Sequence, residues 1–274
     1  MKRNRINTIF LYLALVFFGI ILIIPFYYMI ITSIKPMSEV TQVKINLIVK
    51  NPTLSPYKDL LDASRFLRAA WNSFVIAILM TLGNIFLCPL AGYAFAKHRF
   101  PGQNKIFLTL LATMMIPGSV LMVPGFLLFR DFGWLNTWLP LIIPGLVGIF
   151  GVFLSRQFIE KIPNDLIDAA RVDGCTEISI YKNVILPLSK PLLATLAILT
   201  FLGSWNNFVG PLIFLLDEEK FTLPLIIALL QGRFIGRENI QMAGAVLSIL
   251  PVLVVFFIFQ KQIVQSLAST GLKE

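Results

Sequence analysis

The sequence predicts an all-α integral membrane protein with six transmembrane helices and both termini on the cytoplasmic side. Three observations carry this. Of 274 residues, 57% are hydrophobic and only 14% charged, with a mean hydropathy of +0.82, against roughly 25% charged in an average soluble domain. Six stretches, 9–31, 70–95, 106–129, 138–155, 191–213 and 242–260, contain no Asp, Glu, Lys or Arg, and a helix needs about 20 apolar residues to cross hydrocarbon. With the N-terminus inside, the cytoplasmic pieces hold 13 Lys and Arg against 10 outside, and three of them precede the first span. This composition excludes a soluble enzyme, a disordered regulator, a collagen-like chain and a disulfide scaffold. The formal charge of +9 reads as basic cytoplasmic loops and not as nucleic-acid binding.

Met1-Lys2-Arg3-Asn4-Arg5 looks like the basic start of a signal peptide. The apolar run behind it is too long for that, and no small-x-small cleavage site follows, so it reads as an uncleaved first span. The segment 35–69 carries Pro36, Pro52, Pro56 and mixed charge. It marks the one boundary, giving 1–69 as first span and external segment, 70–262 as the core and 263–274 as a cytoplasmic tail. Pro25, Pro89, Pro117, Pro124, Pro144, Pro211 and Pro251 fall inside or at the ends of the apolar runs, so kinked or broken helices are expected. Cys88 and Cys175 have no metal-ligand spacing and are not expected to pair. His98, inside Lys97-His98-Arg99, reads as a solvated loop residue and not as a ligand.

Between the fourth and fifth spans the pattern becomes specific. Asn164 is a fitting N-cap, Asp165 and Asp168 lie in the first turn, and Gly174 suits a C′ position. A second short helix starts near Thr176, presents Ile178, Tyr181 and Ile185 on one face, and stops before Pro187. The five basic residues between 156 and 190 balance five acidic ones. An apolar stripe on a charge-balanced helical hairpin favours a protein partner. The alternative, an interfacial helix on lipid, is usually strongly basic.

The run Asp168-Ala169-Ala170, then Gly174, then Val184, Leu186 and Pro187 resembles the EAA loop of ABC-importer permeases, with Asp for the usual Glu and Val for the usual Ile. Ala169-Ala170-Arg171-Val172-Asp173-Gly174 and Leu186-Pro187-Leu188-Ser189-Lys190-Pro191 resemble the carbohydrate branch, near the smaller permease of maltose-type and multiple-sugar importers. Asn72-Ser73, Gly92 to Lys97 with Phe100-Pro101-Gly102, Leu135-Asn136-Thr137 and Gly203 to Phe208 match as well. The likeness covers about 70–262; the tail from Ser266 to Glu274 departs from the Gly-rich family ending. The resemblance implies a type I importer permease fold in a prokaryotic plasma membrane. It implies that Asp168, Ala169, Ala170, Gly174, Val184, Leu186 and Pro187 couple the chain to an ATPase. The implied partners are a homologous second permease, two ATPase subunits carrying ATP and Mg, an external solute-binding protein and a sugar. In the outer loop 214–241 it implies binding-protein contacts at Gly232, Arg233, Phe234 and Gly236.

What the chain lacks also counts. It has no GxxxxGK[ST] string, so ATP hydrolysis is expected on another subunit and this chain is not expected to be an enzyme, hold a cofactor of its own or have catalytic residues. Its apolar stretches hold no ionisable group, which argues against proton coupling and fits a neutral polar cargo. Asn84, Trp205, Asn206 and Asn207 are the candidate pathway residues, since amides match hydroxyls and indoles stack on sugar faces; the alternative is helix packing. The rival readings are a permease for glycerol phosphate, sialic acid or an amino acid, an ATP-independent carrier or channel, and a non-conducting scaffold.

Overall fold

The computed structural model describes residues 5–40, 46–63 and 65–271. Among them all regular structure is helical. The chain forms two compact units, one of residues 1–67 with 226–250 and one of 68–225 with 251–274.

The elements of the first unit begin with α1 (Arg5–Ser33), α2 (Met37–Val40) and α3 (Ser55–Ala63). Large apolar side chains of α1, from Ile9 to Ile30, are exposed on all sides, the state of a helix whose solvent is lipid. Residues 2 and 3 of the basic N-terminal cluster lie outside the described residues. In the mixed-charge segment Lys35 and Glu39 are buried. The Glu39 carboxylate accepts from the Asn51 N–H at 2.9 Å and the Lys50 N–H at 3.2 Å, and Lys35 Nζ donates to the Asn46 carbonyl. These charges are therefore satisfied by backbone.

Next come α4 (Phe66–Lys97), α5 (Gln103–Thr113), α6 (Met122–Asp131) and α7 (Leu139–Ile142). A 3₁₀ turn (Ile143–Gly145) then leads into α8 (Ile149–Ile159). α9 (Asn164–Val172), α10 (Glu177–Ile180), a π-turn (Tyr181–Ile185) and α11 (Leu186–Leu188) follow. The remainder is α12 (Lys190–Trp205), α13 (Val209–Phe214), a 3₁₀ turn (Glu218–Lys220), α14 (Leu223–Arg233) and α15 (Glu238–Gly271).

Four helical segments among the described residues have the length and apolarity to cross a bilayer: Thr8–Ser33, Phe66–Lys97, Leu139–Ile159 and Glu238–Gln260. The expected third span is not one helix. Residues 106–129 divide into α5 and α6 around a run of turns at 114–121. Pro117 has no N–H to donate and disfavours helix at Ile116, and Gly118 adds freedom. The expected fifth span is likewise α12 plus α13, broken at 206–208, where the Asn207 amide oxygen takes the Gly210 N–H at 3.1 Å. Segment Glu177–Leu188 meets α12 at 78°. Pro191 lies in the first turn of α12, where it needs no donor.

Two apolar clusters hold the second unit. One gathers Cys88 and Tyr93 of α4, Val152 and Ile159 of α8, Ile167 of α9, Ile180, Tyr181 and Ile185, with Leu192 and Leu196 of α12. The other joins Ile76 of α4 to Leu141 and Leu215. α4 runs through both. It lies close against α8: a Cβ on residue 92 would stand 2.8 Å from the Arg156 nitrogen, and one on residue 151 would stand 2.8 Å from Cys88 Sγ. Small residues let the two backbones approach.

Gly92→Val is therefore expected to destabilise the full-length chain by about 1–3 kcal/mol, the usual cost of overpacking. Thermal unfolding in detergent reads it as a lowered midpoint, and an unchanged midpoint refutes the close approach.

Candidate functional site

The hairpin of residues 164–188 is built by a short set of local rules. α9 begins on Asn164, one residue earlier than an Asn164 cap requires, because Pro163 precedes it with an extended ψ of 136°. The Asn164 amide oxygen instead accepts from Lys97 Nζ at 2.8 Å. At the other end Gly174 has φ +79°. The Cys175 N–H reaches the Ala170 carbonyl and the Gly174 N–H reaches Arg171, both at 3.0 Å. This is a Schellman turn, and the left-handed position favours glycine. Thr176 then caps α10, its Oγ1 accepting from the Ser179 N–H at 3.3 Å.

The second arm departs from the expected face. Ile178 is 69% exposed, while Ile180 joins Tyr181 and Ile185 in the core. The cause is the π-turn at Tyr181–Ile185, whose extra residue rotates the stripe. It also carries the helix through Pro187 to Leu188, where a stop before the proline was expected. A helix with a widened turn has room for a residue without an N–H.

The hairpin is anchored by side chains from distant positions. Tyr93 Oη donates to Glu177 Oε2 at 2.8 Å, and Arg171 Nε donates to Glu177 Oε1 at 3.0 Å. Arg171 also bonds Asp168 at 3.2 Å, and His98 Nε2 stands 3.4 Å from Glu177. Tyr181 Oη donates to the Phe86 carbonyl at 3.2 Å. Lys97 Nζ bonds the carbonyls of Ile162 and Glu160 just past the end of α8, where a cation complements the dipole. His98 is thus half-buried beside Tyr93, with ring centroids 5.0 Å apart, and is not a free loop residue.

The proposed coupling residues divide by this geometry. Asp168, Ala169, Gly174 and Pro187 are exposed and Ala170 is half-buried, whereas Val184 and Leu186 pack inward on the apolar cluster. Every residue from Arg171 to Ile178 is exposed, Val172 at 88%. The hairpin therefore holds out from its own core a turn that carries Arg171, Asp173 and Glu177 together with two large exposed apolar side chains, Val172 and Ile178.

A second ordered element is the loop after α13. Asn136 adopts a left-handed φ of 58°. Its Oδ1 accepts from the Leu216 and Asp217 N–H groups at 3.1 and 3.0 Å, and its Nδ2 donates to Asp217 Oδ2 at 2.6 Å. Asn72 Nδ2 donates to the Glu219 and Phe221 carbonyls, both at 2.9 Å, and Ser73 Oγ accepts from the Leu223 N–H at 2.7 Å. Trp138 Nε1 reaches the Lys220 carbonyl. Asn72, Ser73 and Asn136 carried no assigned role from sequence; three polar residues fixed on 216–223 are visible only when the chain is folded.

Of the binding-protein candidates, Gly232, Arg233 and Gly236 are exposed, and Gly236 has φ +77°. Phe234 is only 7% exposed and lies 5.7 Å beneath the Arg237 guanidinium, which pairs with Asp59. Ile235 is the apolar side chain that projects there. Of the pathway candidates, Asn206 is exposed and Asn207 half-buried. Trp205 is buried and stacks on Phe201 at 5.7 Å, so its face is already covered. Asn84 is buried beside Gly148 and Gly151, and its Oδ1 has no hydrogen-bond partner.

Residues 88–269 match the family described as binding-protein-dependent transport system inner membrane component. The chain is 34% identical over 275 residues to the arabinooligosaccharides transport system permease protein AraQ of Halalkalibacterium halodurans, with 99% of each chain covered. It is 30% identical to the lactose transport system permease protein LacG of Rhizobium radiobacter, covering 97% of this chain and 96% of that one. A chain from the crystal structure of a bacterial ABC transporter involved in import of the acidic polysaccharide alginate superposes with a TM-score of 0.83 at 28% identity, covering 95% and 98%.

Asn136→Ala removes two acceptor contacts and a donor at once. Amide hydrogen exchange at 215–220 is expected to quicken by the equivalent of about 1–3 kcal/mol. The Asn136 amide, and then Lys220, hold the Asp217 carboxyl below its ordinary value of 3.8. A lowered folded-state value stabilises above the unfolded value and is lost as pH falls through the folded one. Protection in this loop, corrected for the intrinsic exchange rate, is therefore expected to fall only as pH drops below the ordinary carboxyl value of 3.8 in the native chain. Asp217→Asn is expected to abolish that dependence.

Proposed function

Since this chain belongs to the family of binding-protein-dependent transport system inner membrane components, we propose that it is the permease subunit of an ATP-driven oligosaccharide importer and forms half of the translocation pore. It is an integral membrane protein and not an ATPase; ATP and Mg are handled by separate subunits. The relatives named above carry arabinooligosaccharides, lactose and alginate in their own descriptions, which supports a carbohydrate cargo. The ion-free apolar stretches favour a neutral one.

The observation that carries the coupling role is the exposed tip of the 164–188 hairpin. Val172 and Ile178 stand in solvent on a turn that Gly174 and Glu177 hold stiff. Two apolar side chains set among charges on a braced turn suit the groove of a protein partner. Two ATPase subunits seat the hairpins of this chain and of a homologous second permease. Closure of the ATPase dimer on ATP then displaces the hairpin as one body. The spans follow from an inward-open to an outward-open state, and the coupling is a free-energy difference between those states.

The same reading completes the topology. Six spans cross the membrane with both termini cytoplasmic: α1, α4, α5 with α6, α7 with α8, α12 with α13, and α15. Residues 1–69 supply the first span and an external segment, 70–262 the permease core, and 263–274 the tail, of which 272–274 lie outside the described residues. An external binding protein delivers sugar near Gly232, Arg233 and Gly236, with Ile235 and not the buried Phe234 as the apolar contact. Asn206 and Asn207, where the fifth span breaks, face the sugar. Asn84 and Trp205 serve that path from within the packed wall.

Ala169→Arg puts a long cation on the exposed face of α9, and Gly174→Pro removes the left-handed turn. Both variants are expected to insert normally and to lose ATP-driven sugar uptake on the order of 5- to 150-fold, the span of typical coupling energies. Uptake by membrane-inserted variants at the native rate refutes the coupling role. Uptake that persists in ATP-depleted vesicles identifies the ATP-independent carrier instead.

A further inference from the structure

A cavity of about 290 Å³ opens beside the hairpin, wholly within the second unit. Its walls are the end of α4, the start of α5, the end of α8 and the first turns of α9. Two of these helix ends, those of α4 and α8, close segments long and apolar enough to cross a bilayer. The cavity therefore lies where hydrocarbon gives way to headgroups.

Its lining carries four cations, Lys97, Arg99, Arg156 and Arg171, against two carboxylates, Glu160 and Asp168. Two of the cations are already engaged: Lys97 with Ile162, Asn164 and the Glu160 carbonyl, and Arg171 with Asp168 and Glu177. Arg156 is different. Its guanidinium sits 4.0 Å over the Phe107 ring, and its buried Nε has no hydrogen-bond partner. That Nε is enclosed by protein, so the terminal guanidinium nitrogens are the ones that can meet a ligand in the cavity. Arg99 is exposed at the rim, and the N-terminal turn of α9, electropositive by its dipole, forms another wall.

We propose that this cavity is a phosphate-binding site in which Arg156 supplies the principal fork to the phosphate of an anionic membrane lipid or to a free phosphate. A guanidinium meets two phosphate oxygens at once, which a point charge does not, and basic pockets between spanning helices at the cytoplasmic side suit anionic headgroups. The site borders Asn164 and Asp168, so its occupant touches the base of the hairpin. The inference depends on the chain lying in a membrane and not on the coupling role.

The test uses the full-length chain with the subunits that co-purify with it, in phosphate-free maltoside micelles. One arm adds phosphatidylglycerol, with digalactosyldiacylglycerol as the phosphate-free control lipid; the other adds inorganic phosphate. Native mass spectrometry reads bound ligand, and the thermal midpoint reads stabilisation. In the lipid arm, phosphatidylglycerol is expected to be retained over the glycolipid and to raise the midpoint. Arg156→Gln is expected to lower retention on the order of tenfold, and Arg156→Lys to restore part of it. The same Arg156-dependent response in the phosphate arm alone assigns the site to soluble phosphate. Arg99→Gln, at the exposed rim, keeps the test decisive if Arg156→Gln does not fold, and is expected to weaken retention less. Equal retention of the glycolipid, no response in either arm, or retention unchanged in the folded variants overturns the proposal.

Discussion

The structure of the second unit depends on how closely α4 approaches α8. Gly92 meets the backbone around Ser155 and Arg156, and Gly151 meets Cys88. Side chains larger than hydrogen at these two points would force the helices apart. With the helices in contact, the last turn of α4 brings Tyr93 and Lys97 to the place where the chain leaves α8. The hairpin is then held from two sides. Lys97 bonds the carbonyls that follow α8, and the Tyr93 hydroxyl donates to Glu177. Neither contact survives a shift of one helix along the other.

This arrangement gives the hairpin its mechanical character. Its inner faces are apolar and buried through Ile167, Ile180 and Ile185. Its turn is closed by the Schellman bonds at Gly174, Arg171 pairs with Asp168 and Glu177 within the element, and Glu177 also takes the Tyr93 hydroxyl of α4. Exposed pairs of this kind add little stability one at a time. Here the Glu177 carboxylate joins α4, α9 and α10 at a single point, so it sets position more than energy.

The loop after α13 follows a parallel logic at the other cluster. Asn136 is a left-handed asparagine, the residue type that tolerates that backbone at least cost after glycine. Its amide serves as a template for the N–H groups of Leu216 and Asp217. Asn72 and Ser73 sit in the early turns of α4 and take the next backbone groups in turn. The residues that order this loop thus lie on elements 80 or more positions away in the chain.

The sequence by itself determined what is local or compositional: a helical membrane protein, the positions of its apolar stretches, the prolines that break them, and the Asp168–Pro187 pattern with its glycine turn. Periodicity, capping and φ preference act within a few residues, so they can be read in one dimension. Only the tertiary structure decided which face of the second arm is buried, because a π-turn between Tyr181 and Ile185 shifts the register by one residue without any compositional mark. Only it decided that Phe234 is buried and Ile235 exposed, that Trp205 is covered by Phe201, and that Glu177 is the fastening point. Those outcomes depend on partners from Asp59 to Arg237 and from Tyr93 to Glu177. Pairings at that separation follow from how the helices pack, and helix packing is a property of surfaces that no single stretch of sequence contains.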